Sequence, residues 1–240
     1  MLVSHNCCGC GHCITYCPQG AIHLRIAGGR RYAVIDDEAC LECGVCLDKG
    51  VCLTGALQES GNLKSEIRKL FGRLTPQSAG VKKTGRTGSW DVKTCDSGRE
   101  LPSDMVIVRM ELGRPSGGVA LGQAEELRLA VLQAGYVLEE QKSYTKLCAV
   151  LGPEGLTKEA AEIRVLSVCL EVVSPPESLP ALLKLVDSRC RTMGIVFRIN
   201  VLFAPCLMEQ LNLVLEDEEY FIGPRCKVNL GFSRREEGDI

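Results

Sequence analysis

A run of closely spaced cysteines near the start of this sequence constrains the chain more than any other feature. Cys7, Cys10, Cys13 and Cys17 are followed directly by Pro18, which gives the spacing C-x2-C-x2-C-x3-C-P. Four thiolates at this spacing are typical ligands of a [4Fe-4S] cluster. Cysteines at i, i+3 and i+6 in a tight loop can reach three corners of such a cubane. The run therefore predicts an iron–sulfur site.

A second run follows within the length of one small domain. It contains four more cysteines, at positions 40, 43, 46 and 52. In paired runs of this kind, the fourth cysteine of each run ligates the cluster of the other run. The spacing thus predicts two [4Fe-4S] clusters with these ligand sets: Cys7, Cys10, Cys13 and Cys52 for cluster 1, and Cys40, Cys43, Cys46 and Cys17 for cluster 2.

The glycines and the spacing favour a cluster over a zinc ion. Gly9, Gly11 and Gly44 lie inside the runs, where glycine lets the backbone turn tightly and brings N–H groups close to sulfur. Structural zinc commonly uses two C-x2-C pairs. That interpretation explains neither the third cysteine at i+6 in both runs nor the Cys17-Pro18 ending, so we reject it.

Residues 1–57 resemble a bacterial dicluster ferredoxin. Between the runs, residues 21–40 predict a strand, a turn at Gly28-Gly29, a second strand and entry to the second run. Similar segments follow each fourth cysteine, at 18–22 and 53–57, so the domain is predicted to be an internal duplication. The resemblance implies a small domain that transfers single electrons at low potential.

The second run departs from this family at two positions. Five residues separate Cys46 from Cys52, where three are usual, and Leu53 stands where proline is expected. Both differences concern the fourth ligand of cluster 1. Cys8 is an alternative ligand, and a three-cysteine site that loses one iron is a third interpretation.

Composition indicates the compartment. The chain has 240 residues, 45% of them hydrophobic, and 15 cysteines. It begins without a recognisable signal peptide, and no segment approaches the ~20 apolar residues of a membrane helix. We therefore expect a cytoplasmic protein of a reducing, anaerobic setting, without membrane association, whose thiols are not paired in disulfides.

Charge indicates the class of partner. The formal net charge is -2, and two loaded clusters bring it to about -6, because each oxidised cubane with its thiolates carries about two negative charges. A negative protein is not expected to bind nucleic acid. It is expected to dock on a basic surface of a redox partner protein, an oxidoreductase or reductase. Whether the chain forms a homo-oligomer or is a subunit of a complex is left open.

Residues 58–103 are predicted to be a basic linker with one short amphipathic helix. The helix is expected at 63–74, and between Lys64 and Arg99 the segment has nine Lys or Arg residues against three Asp or Glu. Glycine, serine and threonine dominate its second half. The only tryptophan, Trp90, predicts that part of this segment packs against a domain.

Residues 104–240 predict an α+β sandwich with a C-terminal extension. Strands are expected at 105–112, 136–139, 146–151, 165–173 and 195–203, and helices at 121–134 and from Pro175 to about 191. This order favours a βαββαβ, ferredoxin-like (split βαβ) domain with helices on one face of an antiparallel sheet. It weakly resembles ligand-binding modules of the ACT type. A helix at 207–215 and an edge strand at 227–232 are expected in the extension.

Other residues are weaker candidates for function. The turn 113–118 is either a tight turn or an anion contact through Arg114. His12, inside the first run, is either a solvent-facing side chain or a group that tunes a cluster. No catalytic residues are predicted. The remaining cysteines of the α+β region occur singly, mostly in apolar segments, and are expected to have no redox role: Cys148, Cys169, Cys190, Cys206 and Cys226.

We therefore expect an electron-transfer iron–sulfur protein that exchanges single low-potential electrons with a redox partner. One alternative is a redox-linked sensor whose α+β domain binds a small ligand. Another is an accessory electron-transfer subunit of an oxidoreductase complex.

Overall fold

The computed structural model describes residues 1–48, 50–72, 102–113, 117–138, 155–216, 218–221 and 233–234. Within these ranges the chain is a mixed α+β protein. Several predicted features lie outside the described residues: the strands at 146–151 and 227–232, and the residues Trp90, Arg114, Cys148 and Cys226. Among the described helices, none combines the length and apolar character needed to cross a bilayer.

The N-terminal part is built from short elements around a small core. In chain order these are β1 (Leu2–Val3), α1 (His12–Thr15), β2 (Ile22–Ala27), β3 (Arg30–Ile35), α2 (Val45–Asp48) and β4 (Leu57–Gln58). β2 and β3 form an antiparallel hairpin in which Ile22 pairs with Ile35, and the Gly28-Gly29 turn lies where it was predicted. β1 pairs with β4, so the two ends of this region meet.

Helix α3 (Leu63–Gly72) connects the N-terminal region to the rest of the chain. Asn62 caps it, since its Oδ1 accepts a hydrogen bond from the backbone N–H of Ser65 at 2.8 Å. Ile67 and Phe71 are buried in the large core of the C-terminal region. Ser65 Oγ donates to the buried Glu42 side chain at 2.7 Å. The helix lies in the predicted linker segment, and it packs against both the N-terminal region and the C-terminal core. The domain boundaries at 57 and 103 stay predictions.

The C-terminal region contains a four-stranded antiparallel sheet. Its elements are β5 (Val106–Leu112), β6 (Val119–Ala120), α4 (Leu121–Gln133), β7 (Val137–Leu138), α5 (Lys158–Ala161), β8 (Arg164–Val165), β9 (Val168–Ser174), α6 (Leu179–Thr192), β10 (Phe197–Leu202), α7 (Met208–Val214), β11 (Tyr220–Phe221) and β12 (Ser233–Arg234). The strand order is β10-β5-β9-β7. Helices α4 and α6 lie over one face.

Two predicted boundaries differ from the structure. The strand expected at 165–173 begins at Val168, because Arg164 and Val165 pair instead with β6. The helix expected to open at Pro175 starts with a 3-10 turn at Pro176–Ser178, and α6 begins at Leu179. Pattern alone did not separate these segments, because each continues directly into its neighbour in the sequence.

The face of the sheet opposite the helices holds buried charged side chains next to a small apolar group formed by Ile107, Leu202 and Val173. Arg109 on β5 forms an ion pair with Glu171 on β9, its neighbour across the strands, and both side chains are buried. Glu111 lies two residues further along β5 and is 3.5 Å from Arg198 on β10. Sequence analysis missed this network, because Arg109 and Glu111 stand inside a strand whose other residues are apolar.

Cys190 provides a test of the core. It is fully buried in α6, and burial raises the pKa of its thiol to about 12. At pH 8 only about one molecule in 10,000 carries the thiolate, which is the reactive form. We expect iodoacetamide to modify the exposed Cys206, and to modify Cys190 at a rate at least about 100-fold lower. Peptide mass spectrometry of the native and guanidinium-treated protein measures both; equal labelling in the native protein would contradict this packing.

Candidate iron–sulfur site

The eight predicted ligands lie in two similar loop–helix segments. In the first segment Cys7 and Cys10 precede α1, Cys13 lies in it and Cys17 follows it. The second segment repeats this arrangement around α2, with Cys40 and Cys43 before the helix, Cys46 within it and Cys52 after it. Cys7 and Cys13 are buried, Cys10 is exposed, and the other five are partly buried. The described cysteines are all free thiols.

One group of thiols surrounds Cys13. Burial raises the pKa of the Cys13 thiol, and the neighbouring thiols of Cys10, Cys7 and Cys52 raise it further by electrostatic repulsion between thiolates. The structure therefore brings these four thiols together, although Cys52 lies 39 residues after Cys13 in the sequence. We name Cys7, Cys10, Cys13 and Cys52 thiol set 1.

The other group surrounds Cys46. Burial, followed by repulsion from Cys43, Cys40 and Cys17, raises the pKa of the Cys46 thiol to about 11. Burial also raises the pKa of Cys43, where Cys17 and Cys40 again act in the same direction. We name Cys17, Cys40, Cys43 and Cys46 thiol set 2. Each set thus contains three thiols of one run and the fourth thiol of the other.

Backbone N–H groups point at several of these sulfurs. Cys7 Sγ accepts hydrogen bonds from the N–H of Gly9 at 3.4 Å and of Ala33 at 3.3 Å. Ala21 N–H donates to Cys17 Sγ at 3.2 Å, and Ala56 N–H donates to Cys52 Sγ at 3.2 Å. Donors of this kind favour the thiolate, the form that ligates iron.

Several local hydrogen bonds reach the sulfur of Cys52. Burial alone would raise the pKa of its thiol, but hydrogen bonds with the Thr54 hydroxyl and the Ala56 N–H, among others, outweigh burial and lower that pKa. Leu53, which replaces the expected proline, is 90% exposed and does not disturb this turn. Cys8, the alternative ligand, is exposed and belongs to neither thiol set.

The duplicated sequence has duplicated hydrogen bonds. Gly20 N–H donates to the Cys17 carbonyl at 3.2 Å, and Gly55 N–H donates to the Cys52 carbonyl at 3.1 Å. The residues before Cys10 and Cys43 match as well, since Gly9 and Glu42 both have left-handed backbone angles, with φ of 67° and 52°. Glu42 is the only described residue other than glycine with positive φ. Its side chain is held by Ser65, which explains how a residue with a Cβ is kept there.

The first ligand loop is pressed against the hairpin. A Cβ at Gly9 would lie 2.2 Å from the carbonyl oxygen of Arg31 on β3, so only glycine fits. Arg30 also holds this loop, because its Nη2 donates to the carbonyls of Cys7, at 2.7 Å, and of His5. His12 is exposed and its ring centroid lies 5.4 Å from that of Tyr16, and no contact with another described residue turns the ring toward a sulfur.

Gly118, the last residue of the predicted turn at 113–118, contacts the second ligand loop. A Cβ at Gly118 would lie 2.5 Å from the Val165 carbonyl oxygen and 2.8 Å from Leu41 Cδ1. Leu41 follows Cys40 directly and is buried. Gly118 therefore serves close packing, while Arg114, the predicted anion contact, lies outside the described residues.

The chemistry of the donor set is that of iron–sulfur ligation, because each group has four thiols and several sulfurs accept backbone N–H donors. Within the described part of the chain, no group of three or more His, Cys, Asp or Glu side chains is placed so that it could hold a metal ion. The two clusters therefore stay a prediction.

Comparisons with protein-family models, with curated proteins and with solved structures find no match for this chain.

Proposed function

We propose that this protein transfers electrons through two [4Fe-4S] clusters held by thiol sets 1 and 2. The observation that carries the proposal is the division of eight thiols into two groups of four in which each run contributes its fourth cysteine to the other group. Such an exchange is characteristic of paired clusters in one small domain. When bound, the clusters supply one-electron redox chemistry.

The residues of the chain have three tasks in this function. The thiolates bind iron, and the N–H groups of Gly9, Ala33, Ala21 and Ala56 stabilise charge on sulfur. The small apolar core, which includes Ile22, limits the access of water. Clusters of this type are held only as thiolates, so we place the protein in a reducing compartment, the cytoplasm.

Thiol set 1 is the proposed point of electron exchange. Cys10 is exposed, and an exposed apolar side chain, Leu53 at 90%, directly follows Cys52 of the same set. Cys40 and Cys43 of thiol set 2 are partly buried, and the loop between them packs against α3 and Gly118. A redox partner protein would therefore approach from the side of Cys10.

The C-terminal region is proposed to be a ferredoxin-like sandwich that recognises the partner or fixes an oligomer. Its sheet order, with the fourth strand beside the first and the third beside the second, supports the split βαβ arrangement.

Iron and acid-labile sulfide content, with EPR of the dithionite-reduced protein, tests the proposal. We expect about eight iron per chain and spin-coupled signals of two reduced cubanes. Cys10→Ala and Cys43→Ala should each remove one of the two signals, because each changes a different thiol set. Full iron content and full visible absorbance in both variants would contradict the ligand assignment, and stoichiometric zinc without iron would contradict the cofactor.

A redox-linked sensor is the second candidate, and direct packing between the two regions favours it. Gly118 touches Leu41, so a ligand bound to the α+β region could change the surroundings of thiol set 2. A thermal-shift screen with amino acids, nucleotides and thiols tests this, since a ligand at 100 times its Kd adds about 2.7 kcal/mol of stability. Rapid electron exchange with a reductase and no thermal shift would support the carrier, alone or as an accessory subunit.

A further inference from the structure

The tip of the β2–β3 hairpin is a concentrated basic surface, which we name the basic tip (residues 25–31). All seven of its residues are exposed, and three of them are Arg25, Arg30 and Arg31. Ile26, on the strand between them, is 74% exposed. The sequence has no Asp or Glu before Asp36. The tip therefore presents positive charge and one large apolar side chain to solvent.

The arginines of the basic tip are not neutralised by ion pairs. None of the ion pairs among the described residues includes any of the three. Acidic residues begin at the other end of β3, where Asp37 and Glu38 bind Lys64 Nζ at 2.9 Å and 2.6 Å. Asp36 lies about 16 Å along the strand from Arg31, at about 3.3 Å per residue. Salt screens exposed charges beyond about 8 Å, so these carboxylates do not cancel the tip.

The other charges of the N-terminal region are compensated or fewer in number. The Met1 ammonium and the Glu42 carboxylate form a buried ion pair. Glu59 lies 3.3 Å from Lys69. A loaded cluster 1 would bring about two negative charges, fewer than the three positive charges of the tip. The tip therefore keeps a positive local charge in a chain whose net charge is negative.

The basic tip is joined to the ligand loop of thiol set 1. Arg30 Nη2 donates to the Cys7 carbonyl at 2.7 Å. A Cβ at Gly9 would lie 2.2 Å from the carbonyl oxygen of Arg31, so the loop touches the hairpin there. Gly9 directly precedes the exposed Cys10. A protein that binds the tip is therefore close to the ligands of thiol set 1.

A cavity of about 520 Å³ adjoins the basic tip. It is lined by the N-terminal residues and by one side of the hairpin, and His5, Cys7, Arg30 and Tyr32 are among its walls. None of its described lining residues is acidic. The hydroxyl of Ser4, also in the lining, is buried without a hydrogen-bond partner. The cavity thus offers a cation and polar donors to a side chain that enters from outside.

We propose that the basic tip and this cavity dock an acidic surface of the redox partner. Carboxylates of the partner pair with Arg25 and Arg31, and one enters the cavity beside Arg30, since guanidinium and carboxylate match in shape and charge. Net charge predicts a basic partner surface instead. At contact distance the local charge dominates, because salt screens the more distant acidic residues. This inference rests on the proposed function, because the docked partner exchanges electrons with cluster 1.

Charge reversal on the tip tests the docking surface. Arg25→Glu combined with Arg31→Glu changes two exposed side chains that make no hydrogen bond or ion pair with other described residues. Arg30 is left in place because it holds the Cys7 loop. Lys158→Glu combined with Arg189→Glu is the matched control, since it changes the net charge equally at exposed positions of the C-terminal region.

Binding is measured with a fluorescent peptide of ten glutamates, by anisotropy, on the anaerobic iron-loaded full chain. At low salt we expect the tip variant to bind the peptide at least about tenfold more weakly than the wild type, and the control to bind within about twofold. Salt at about 0.5 M should abolish the difference. A peptide of ten lysines and a 20-base-pair DNA duplex are measured in parallel.

Electron exchange is measured by stopped-flow oxidation of the reduced protein with the anionic iron(III)–EDTA complex. One electron passes from a reduced cluster to iron(III), which becomes iron(II). A positive surface beside cluster 1 concentrates this anion, so the rate at low salt should fall about tenfold in the tip variant and less than about twofold in the control.

Several outcomes would overturn the inference: equal peptide binding by wild type and tip variant, preference for the lysine peptide, tighter binding of the DNA, or weaker peptide binding with an unchanged oxidation rate. If the tip variant loses iron, Arg25→Gln decides. Full iron with weaker glutamate binding in that variant supports the inference, and full binding or loss of iron overturns it. Glutamate binding by a wild-type chain that holds no iron would contradict the proposed function and still support the acidic ligand of the tip.

Discussion

Cys52→Ala is expected to leave about seven iron or fewer per chain, with a three-iron EPR signal in the oxidised protein, whereas Cys8→Ala is expected to leave eight. The reason is that Cys52 lies in thiol set 1 and accepts hydrogen bonds at sulfur, while Cys8 is exposed and lies in neither set. Without the fourth thiolate one corner of the cubane has no protein ligand and loses its iron.

The two cysteines form a matched pair, since both replacements remove one thiol from the same small region. Iron analysis and EPR of the oxidised and reduced proteins measure the result. Full iron in Cys52→Ala with loss in Cys8→Ala would mean that Cys8 is the fourth ligand. Seven iron already in the wild-type chain would mean that the five-residue spacing before Cys52 leaves the corner open.

Gly9→Ala is expected to destabilise the N-terminal region by about 3 kcal/mol or more. A Cβ at this position would lie 2.2 Å from the Arg31 carbonyl oxygen, and the backbone has a φ of 67°, so the substitution meets both a clash and backbone strain. Neither the Arg31 carbonyl nor the loop that contains Gly9 can move without displacing Cys7. The sulfur of Cys7 accepts hydrogen bonds from the N–H groups of Gly9 and Ala33. Cluster loading should therefore fall as well.

Gly28→Ala is the control for this prediction. Gly28 also has a left-handed backbone, with a φ of 57°, but nothing lies near its added Cβ. Its replacement should cost only about 1–2 kcal/mol of backbone strain. Denaturant midpoints from circular dichroism, with iron content after reconstitution, compare the two. Equal losses in both variants would show that the close approach of Gly9 to β3 does not exist.

The secondary structure of the described regions was largely predictable. The hairpin followed from alternating residues around Gly28-Gly29, and α3, α4 and α6 followed from apolar residues at helical spacing. These signals are local, because each depends on residues within one element. The boundary of β9 was missed, since the choice of Val165 to pair with β6 depends on a strand far away in the chain.

The candidate site was predictable in its ligands and not in its surroundings. Cysteine spacing predicts the eight ligands and the exchange between the runs, and the ligand assignment stays a prediction. It could not identify Arg30, Glu42 or Arg68, because a charged residue in sequence does not show whether it is exposed or buried. Arg68 belongs to the basic face of α3, and the amphipathic pattern of the helix predicts that this face is in solvent. The sequence therefore did not indicate that α3 is buried on the side of Arg68.

By itself, the sequence determined the spacing of the thiols, the duplicated turns after Cys17 and Cys52, and the alternation of strands and helices. Each of these depends on short-range geometry, which residue order specifies directly. Only the tertiary structure decided that α3 packs on both regions, that Arg109 and Glu171 pair inside the sheet, and that Arg68 is buried and donates to the Asp37 carbonyl. Burial and charge pairing depend on contacts between distant segments, and these exist only once the chain has folded.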